Sequence, residues 1–149
     1  ISEVLFMLLL PYFFKKFGFK TTILVGMLAW TIRYILFAYG NSGELAFMLL
    51  FGIALHGICY DFFFVSGQIY TDSKAGEKVK SAAQGLITLA TYGVGMLIGF
   101  YVAGKITDTH IVGQGHDWTA IWQMPALFAV AVFVLFALFF KNESIDYKE

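Results

Sequence analysis

Six residues of this chain carry reactive or polar groups where apolar side chains are the rule: Glu3, Arg33, His56, Tyr60, Asp61 and Gln84. Asp61 sits in the middle of LHGICYDFFFVSGQIY (55–70), within an apolar run from 45 to about 71 that is long enough to span a bilayer. An acid at the centre of such a helix costs about 2.5 to 3.5 kcal/mol on insertion scales, so it is expected to face a bundle interior or an aqueous cavity. Two readings of it stay open. Asp61 is either an acid that loads and releases a proton, or the structural partner of Arg33, the single charge of the preceding span. Glu3 is a second acid at membrane depth, about eleven residues before a basic turn at about 1.5 Å per residue.

Helical spacing gathers the other polar groups around these acids. Gly52, His56, Tyr60, Phe63 and Gly67 share one stripe, and Gly57, Asp61, Phe64 and Gln68 share its neighbour. Together they form a polar and aromatic wedge suited to an uncharged polar ring compound, which aromatic rings stack on and a few polar groups orient. Along the following helix, Gln84, Thr88, Thr91 and Tyr92 fall on one face as candidate cavity lining, and Gly95 and Gly99 form a GxxxG that points to helix packing.

The elements that must position these groups are membrane helices. The 149 residues are 59% hydrophobic, 19% aromatic and only 13% charged, outside the range of ordinary soluble domains. The chain opens on ISEVLFMLLLPYFF with no initiator Met and no basic n-region, and is expected to be a fragment of a longer chain, entered inside a helix. The expected spans are the remainder of a first one at 1–14 and four complete ones at 21–39, 45–71, 81–104 and 119–140, giving an all-α membrane bundle. Between them stand a basic turn at 15–20, a tight turn at 40–44, polar loops at 72–80 and 105–118, and a polar tail. Lys15, Lys16, Lys20, Lys74, Lys78, Lys80, Lys141 and Lys148 lie in the first turn, the third loop and the tail, against Lys105 alone in the alternate loops. The positive-inside rule therefore puts the first turn, the 72–80 loop and the C-terminus in the cytoplasm. The uncharged 119–140 helix is expected at the periphery.

Several function classes fall away. Ten basic and ten acidic residues cancel, so nothing in the charge points to a nucleic acid partner. The lone Cys59 is read as a packing residue, and His110, His116, Asp108 and Asp117 match no metal-ligand spacing. Neither a phosphate-cradling glycine loop nor a nucleophile elbow is present, so no enzyme, cofactor or metal is expected. A catalytic pair of His56 and Asp61 would need a third group, since residues five apart stand about 140° apart round a helix.

AWTIRYILFAYG (29–40), the run Tyr60-Asp61-Phe62-Phe63 with Ser66-Gly67 behind it, and Ser81-Ala82-Ala83-Gln84-Gly85 together resemble the C-terminal half of bacterial nucleoside:proton symporters of the major facilitator superfamily. The match runs nearly end to end. The resemblance implies helices eight to twelve of a twelve-helix transporter, with residues 1–149 as its C-terminal transmembrane half and the N-terminal half missing. In that family an Ile-Ser-Glu supplies a substrate-binding glutamate, which maps to Glu3, and the acid before Phe-Phe serves proton coupling, which maps to Asp61. The aromatic before that acid contacts nucleoside and maps to Tyr60. A further contacting tyrosine of the family, four residues before that aromatic, aligns with His56, a departure from the family pattern. Arg33 and Gln84 are supporting candidates. The implied activity is proton-coupled nucleoside uptake by alternating access at the bacterial inner membrane, with another polar solute such as a sugar, or a non-transporting scaffold, as the alternatives.

Overall fold

Apolar runs of this length become helices because, in a bilayer, each backbone amide and carbonyl must be bonded within its own segment. The computed structural model describes residues 2–141; Ile1 and the tail 142–149, including Lys148, lie outside the described residues. Among the described residues four helices are long and apolar enough to cross a membrane. They are α1 (Ser2–Tyr39), α2 (Ala46–Lys74), α3 (Lys80–Thr109) and α4 (Trp118–Phe139).

The first is two arms rather than one rod. Gly18 has φ 76° and ψ 171°, a backbone conformation that glycine adopts without steric cost. As a straight helix, α1 would hold Glu3 and Arg33 about 45 Å apart. Both instead reach the side chain of His56, so the arms run antiparallel from Gly18. Phe14 and Phe19 stack across the turn at 4.2 Å, and the Thr22 hydroxyl donates to the Gly18 carbonyl. The basic turn expected over 15–20 thus narrows to one non-helical residue.

α2 begins as an α-helix, passes a turn residue at Leu55, and widens to a π-helix over Tyr60–Val65 before ending at Lys74. The widening has a visible accommodation in α1, where a Cβ on Gly26 would stand 2.8 Å from the Phe62 carbonyl carbon and 2.9 Å from the Phe63 amide. The second arm can therefore approach the π-turn only with glycine there. Phe62, which belonged to neither stripe of the sequence reading, is the large core side chain of α2, on one face with the buried Cys59 and Ser66 three residues before and four after it. It is 2% exposed, against Phe6 and Phe13, in a cluster with Leu10, Phe14 and Phe19.

α3 also carries a π-turn, over Leu89–Gly95, and continues to Thr109, past the expected end at 104. A small antiparallel hairpin, β1 (Ile111–Val112) with β2 (Gly115–His116), turns at Gly113 with φ 60°. The Asp117 carboxylate then caps α4 by accepting from the Ala120 amide at 3.0 Å. Trp122 of α4 packs on Tyr34 and Phe37 of the second α1 arm.

Contacts between elements fix the two ends of the bundle. At one, Lys20 donates to the Ala137 carbonyl, and Tyr70 packs on Phe19 and Phe140. The Gly18 turn and the α2–α3 loop with its lysines therefore share an end. At the other, Gln123 donates to the Tyr39 hydroxyl. α3 lies against the last part of α2, while Leu86, Leu89, Leu97, Phe100 and Tyr101 remain exposed. Gly99 faces open space, so the partner expected for its GxxxG is not among the described residues.

Candidate functional site

Tyr60 stands at the mid-point of Ala46–Lys74, the depth at which a membrane helix is furthest from water. Around it the fold brings together four of the six residues singled out by the sequence. Glu3 and Arg33 stand equally far from Gly18, about 22 Å along their arms, so both arrive at the same level of α2. There His56 lies between them. Its Nδ1 is 2.7 Å from Arg33 Nη1, and its Nε2 is 3.2 Å from Glu3 Oε1. The Arg33 guanidinium is further flanked by the rings of Trp30 and Phe37 at 5.3 and 5.2 Å. Glu3 and His56 are each about half exposed.

One helical turn on from His56, the Tyr60 ring lies 6.1 Å from the imidazole, and its hydroxyl is 2.7 Å from that of Tyr92 on α3. Phe64 completes an aromatic run, 5.6 Å from Tyr60 and 5.8 Å from Tyr92. Trp30 meets Phe64 at its edge and donates its indole N–H to the Cys59 carbonyl. The group thus offers ring faces beside the Glu3 carboxylate, whereas the carboxylate of the wedge drawn from the sequence, Asp61, is buried.

Asp61 behaves differently from the rest. Its side chain is 0% exposed, and neither carboxylate oxygen has a hydrogen-bond partner among the described residues. The titratable groups acting on it electrostatically are Glu3 and His56. An ionised carboxylate in this place has only the Met7 backbone amide and His56 acting in its favour and no hydrogen bond of full geometry, a costly arrangement inside a protein. The reading that paired Asp61 with Arg33 is not what the fold produces, because Arg33 is engaged by His56. A His56–Asp61 catalytic pair does not form either, since both imidazole nitrogens face other residues.

Gln84 lies elsewhere. Its amide donates to the Gln68 carbonyl at 2.8 Å, near the Lys80–Asp72 ion pair at 2.9 Å, and ties α3 to the end of α2. It does not touch Glu3, His56 or Tyr60. Of the polar face of α3, it is Tyr92 that reaches Tyr60. No group of three potential metal ligands occurs among the described residues. A cavity of about 530 Å³ opens beside this site between α1, α2, α3 and α4, lined by Trp30, Tyr34, Phe64, Tyr92 and Phe128 among others. Neither Glu3 nor His56 lines it, and its walls are almost wholly apolar.

Known proteins with this sequence pattern and shape are transporters. Residues 1–145 match the family model described as nucleoside H+ symporter. YegT of Escherichia coli is 40% identical over 95% of this chain, and the xanthosine permease of the same organism is 36% identical over 95%. The crystal structure of the nucleoside transporter NupG superposes with a TM-score of 0.87 at 30% identity over 96% of this chain, and that of a point mutant of NupG with 0.88. The chain spans about 35% of the length of these relatives. With a matching family model over nearly its whole length and a bundle of membrane-spanning helices, the chain belongs to the nucleoside H+ symporter family of multi-pass membrane proteins.

Proposed function

We propose that this chain is the C-terminal transmembrane half of a longer transporter that carries nucleosides into a bacterial cell together with protons. The observation that carries this reading is the division of labour around the middle of α2. Glu3 and His56, half exposed, stand together beside the Tyr60 ring, while Asp61, on the same helix, is buried with no partner. Ligand recognition and proton carriage thus fall to neighbouring but separate groups. Glu3 accepts hydrogen bonds from ribose hydroxyls or base N–H groups, His56 stands beside it as a second contact, and Tyr60 supplies a stacking face. Asp61 takes up the proton that removes an uncompensated charge, and releases it when the site opens to the other side. Arg33 supports the site from behind His56, and Gln84 holds α3 against α2.

In this reading the site lies at the interface with the other half of the transporter, and rocking of the two halves exposes it to each side in turn. The lysine-bearing turns at one end of the bundle support a cytoplasmic position for that end and for the C-terminus, with the chain in the inner membrane. Xanthosine permease and the NupG transporter among the relatives support nucleosides over sugars as the cargo. The test is uptake of labelled uridine by cells making the full-length protein, with and without a protonophore. Protonophore-sensitive accumulation is the expected result. Accumulation indifferent to the protonophore would remove the coupling, and none at all would remove the nucleoside.

A further inference from the structure

We infer that Arg33 is a positioning residue of the nucleoside site, acting on Glu3 through a His56 held as its Nε2–H tautomer. This rests on the transport reading above and assigns to Arg33 a role in substrate affinity that is separate from the proton carrier. A guanidinium has donors only, so at 2.7 Å from Arg33 Nη1 the His56 Nδ1 must be the acceptor. The ring proton is then on Nε2, which faces Glu3 Oε1 at 3.2 Å and donates to it. A doubly protonated imidazole would set an Nδ1–H against the guanidinium, donor against donor. The chain of bonds therefore runs one way, from Arg33 through His56 to Glu3.

Three consequences follow for the site. Oε1 of Glu3 is occupied and its side chain pinned, leaving the second oxygen of a half-exposed carboxylate for a ligand donor. Both His56 nitrogens are engaged, so what the imidazole offers the ligand is its ring, next to the Tyr60 ring at 6.1 Å. And Arg33, flanked by Trp30 and Phe37 with its Nε buried, acts on the ligand through His56, determining whether the imidazole can present a donor to Glu3.

The test is a double-mutant cycle on uridine Kd in the purified full-length transporter, with thermal stability recorded for each variant. Arg33→Gln is expected to raise Kd about three- to tenfold, the range of one hydrogen bond's net contribution. His56→Phe, which keeps a ring without nitrogens, should raise it similarly, and Arg33→Gln added to His56→Phe should raise it no further. His56→Gln, whose amide accepts from Arg33 and donates to Glu3, should restore most of the affinity. Equal losses from Arg33→Gln in both backgrounds, or unchanged affinity in either single variant, would overturn the relay. NMR of isotope-labelled histidine in the unmutated protein reads the tautomer without any substitution. An Nδ1–H or doubly protonated His56 would also overturn it. Unmutated protein that binds no nucleoside would instead remove the transport reading, and the relay with it.

Discussion

The hydroxyls of Tyr60 and Tyr92 meet at 2.7 Å, and each tyrosine stands in the π-turn of its own helix. π-turns insert a residue into an α-helix and recur at functional sites, where they redirect side chains that regular spacing would send elsewhere. Here two of them face one another across the α2–α3 contact. The bond fixes the Tyr60 ring, and with Phe64 between them the two helices share one aromatic surface.

If Tyr92 holds Tyr60 in place, Tyr92→Phe should weaken nucleoside binding although Tyr92 is on a different helix. Losing one hydroxyl bond corresponds to about 0.5 to 1.5 kcal/mol, roughly a two- to tenfold rise in Kd. Tyr60→Phe removes the same bond from the other side, so the double variant should be little worse than either single one. Fully additive losses, measured by titration, would mean that the two hydroxyls act separately.

Gly26 is the place where the second α1 arm and the α2 π-turn come closest, since a Cβ added there would lie 2.8 and 2.9 Å from backbone atoms of Phe62 and Phe63. Backbone cannot swing aside as a flexible side chain does. Gly26→Ala should therefore lower thermal stability by about 1 to 3 kcal/mol, the usual range for overpacking. Gly76→Ala, in the α2–α3 loop with nothing within 4 Å, is the comparison and should change stability little. Equal melting temperatures for the two variants would mean that the arm and the π-turn are not in register as described.

How much of this was legible beforehand depended on whether a feature is local. Helix positions followed from apolar length, and the gathering of lysines at one end from the alternation of loops, because both are set by the bilayer. Glu3, His56, Tyr60 and Asp61 stood out as polar groups in apolar surroundings. The Arg33 contact did not follow in the same way: an arginine and an aspartate at membrane depth suggest a pair, and only the antiparallel fold of α1 about Gly18 carries Arg33 to His56 instead. Phe62 escaped because the stripes were drawn through the polar groups His56, Tyr60 and Asp61, whereas Phe62 lies on another face of the same helix with the buried Cys59 and Ser66. Gln84 stands apart from Glu3, His56 and Tyr60, at the Gln68 carbonyl, because residues of one helical face reach quite different depths along the helix.

Glu3→Gln keeps the shape of the side chain and removes the charged acceptor. The loss expected is about 1.5 to 3 kcal/mol for a hydrogen bond to a charged group, tenfold or more in uridine Kd. Since Glu3 is half exposed and its side chain meets His56 among the described residues, folding should be spared. A variant that melts normally and binds uridine as before would take Glu3 out of the site.

Asp61→Asn separates proton carriage from everything else. Asparagine is nearly isosteric and cannot titrate, so a transporter that uses Asp61 to carry the proton should lose uptake driven by an imposed pH gradient. Substrate binding and gradient-free exchange should persist, because Glu3, His56 and Tyr60 are untouched. Stability should hold or rise, since the substitution removes a buried carboxylate that has no hydrogen-bond partner. If Asp61 were instead one half of a pair with Arg33, its loss would strand a buried cation and lower stability, and Arg33→Gln would restore what Asp61→Asn had lost. The bond from Arg33 to His56 argues for the opposite outcome, in which the two substitutions act independently on stability. Melting curves of both single variants and the double variant, taken beside pH-driven uridine accumulation in proteoliposomes, decide between the two. Intact accumulation by a stable Asp61→Asn protein would move the proton to another group, and mutual rescue in the double variant would restore the structural pair.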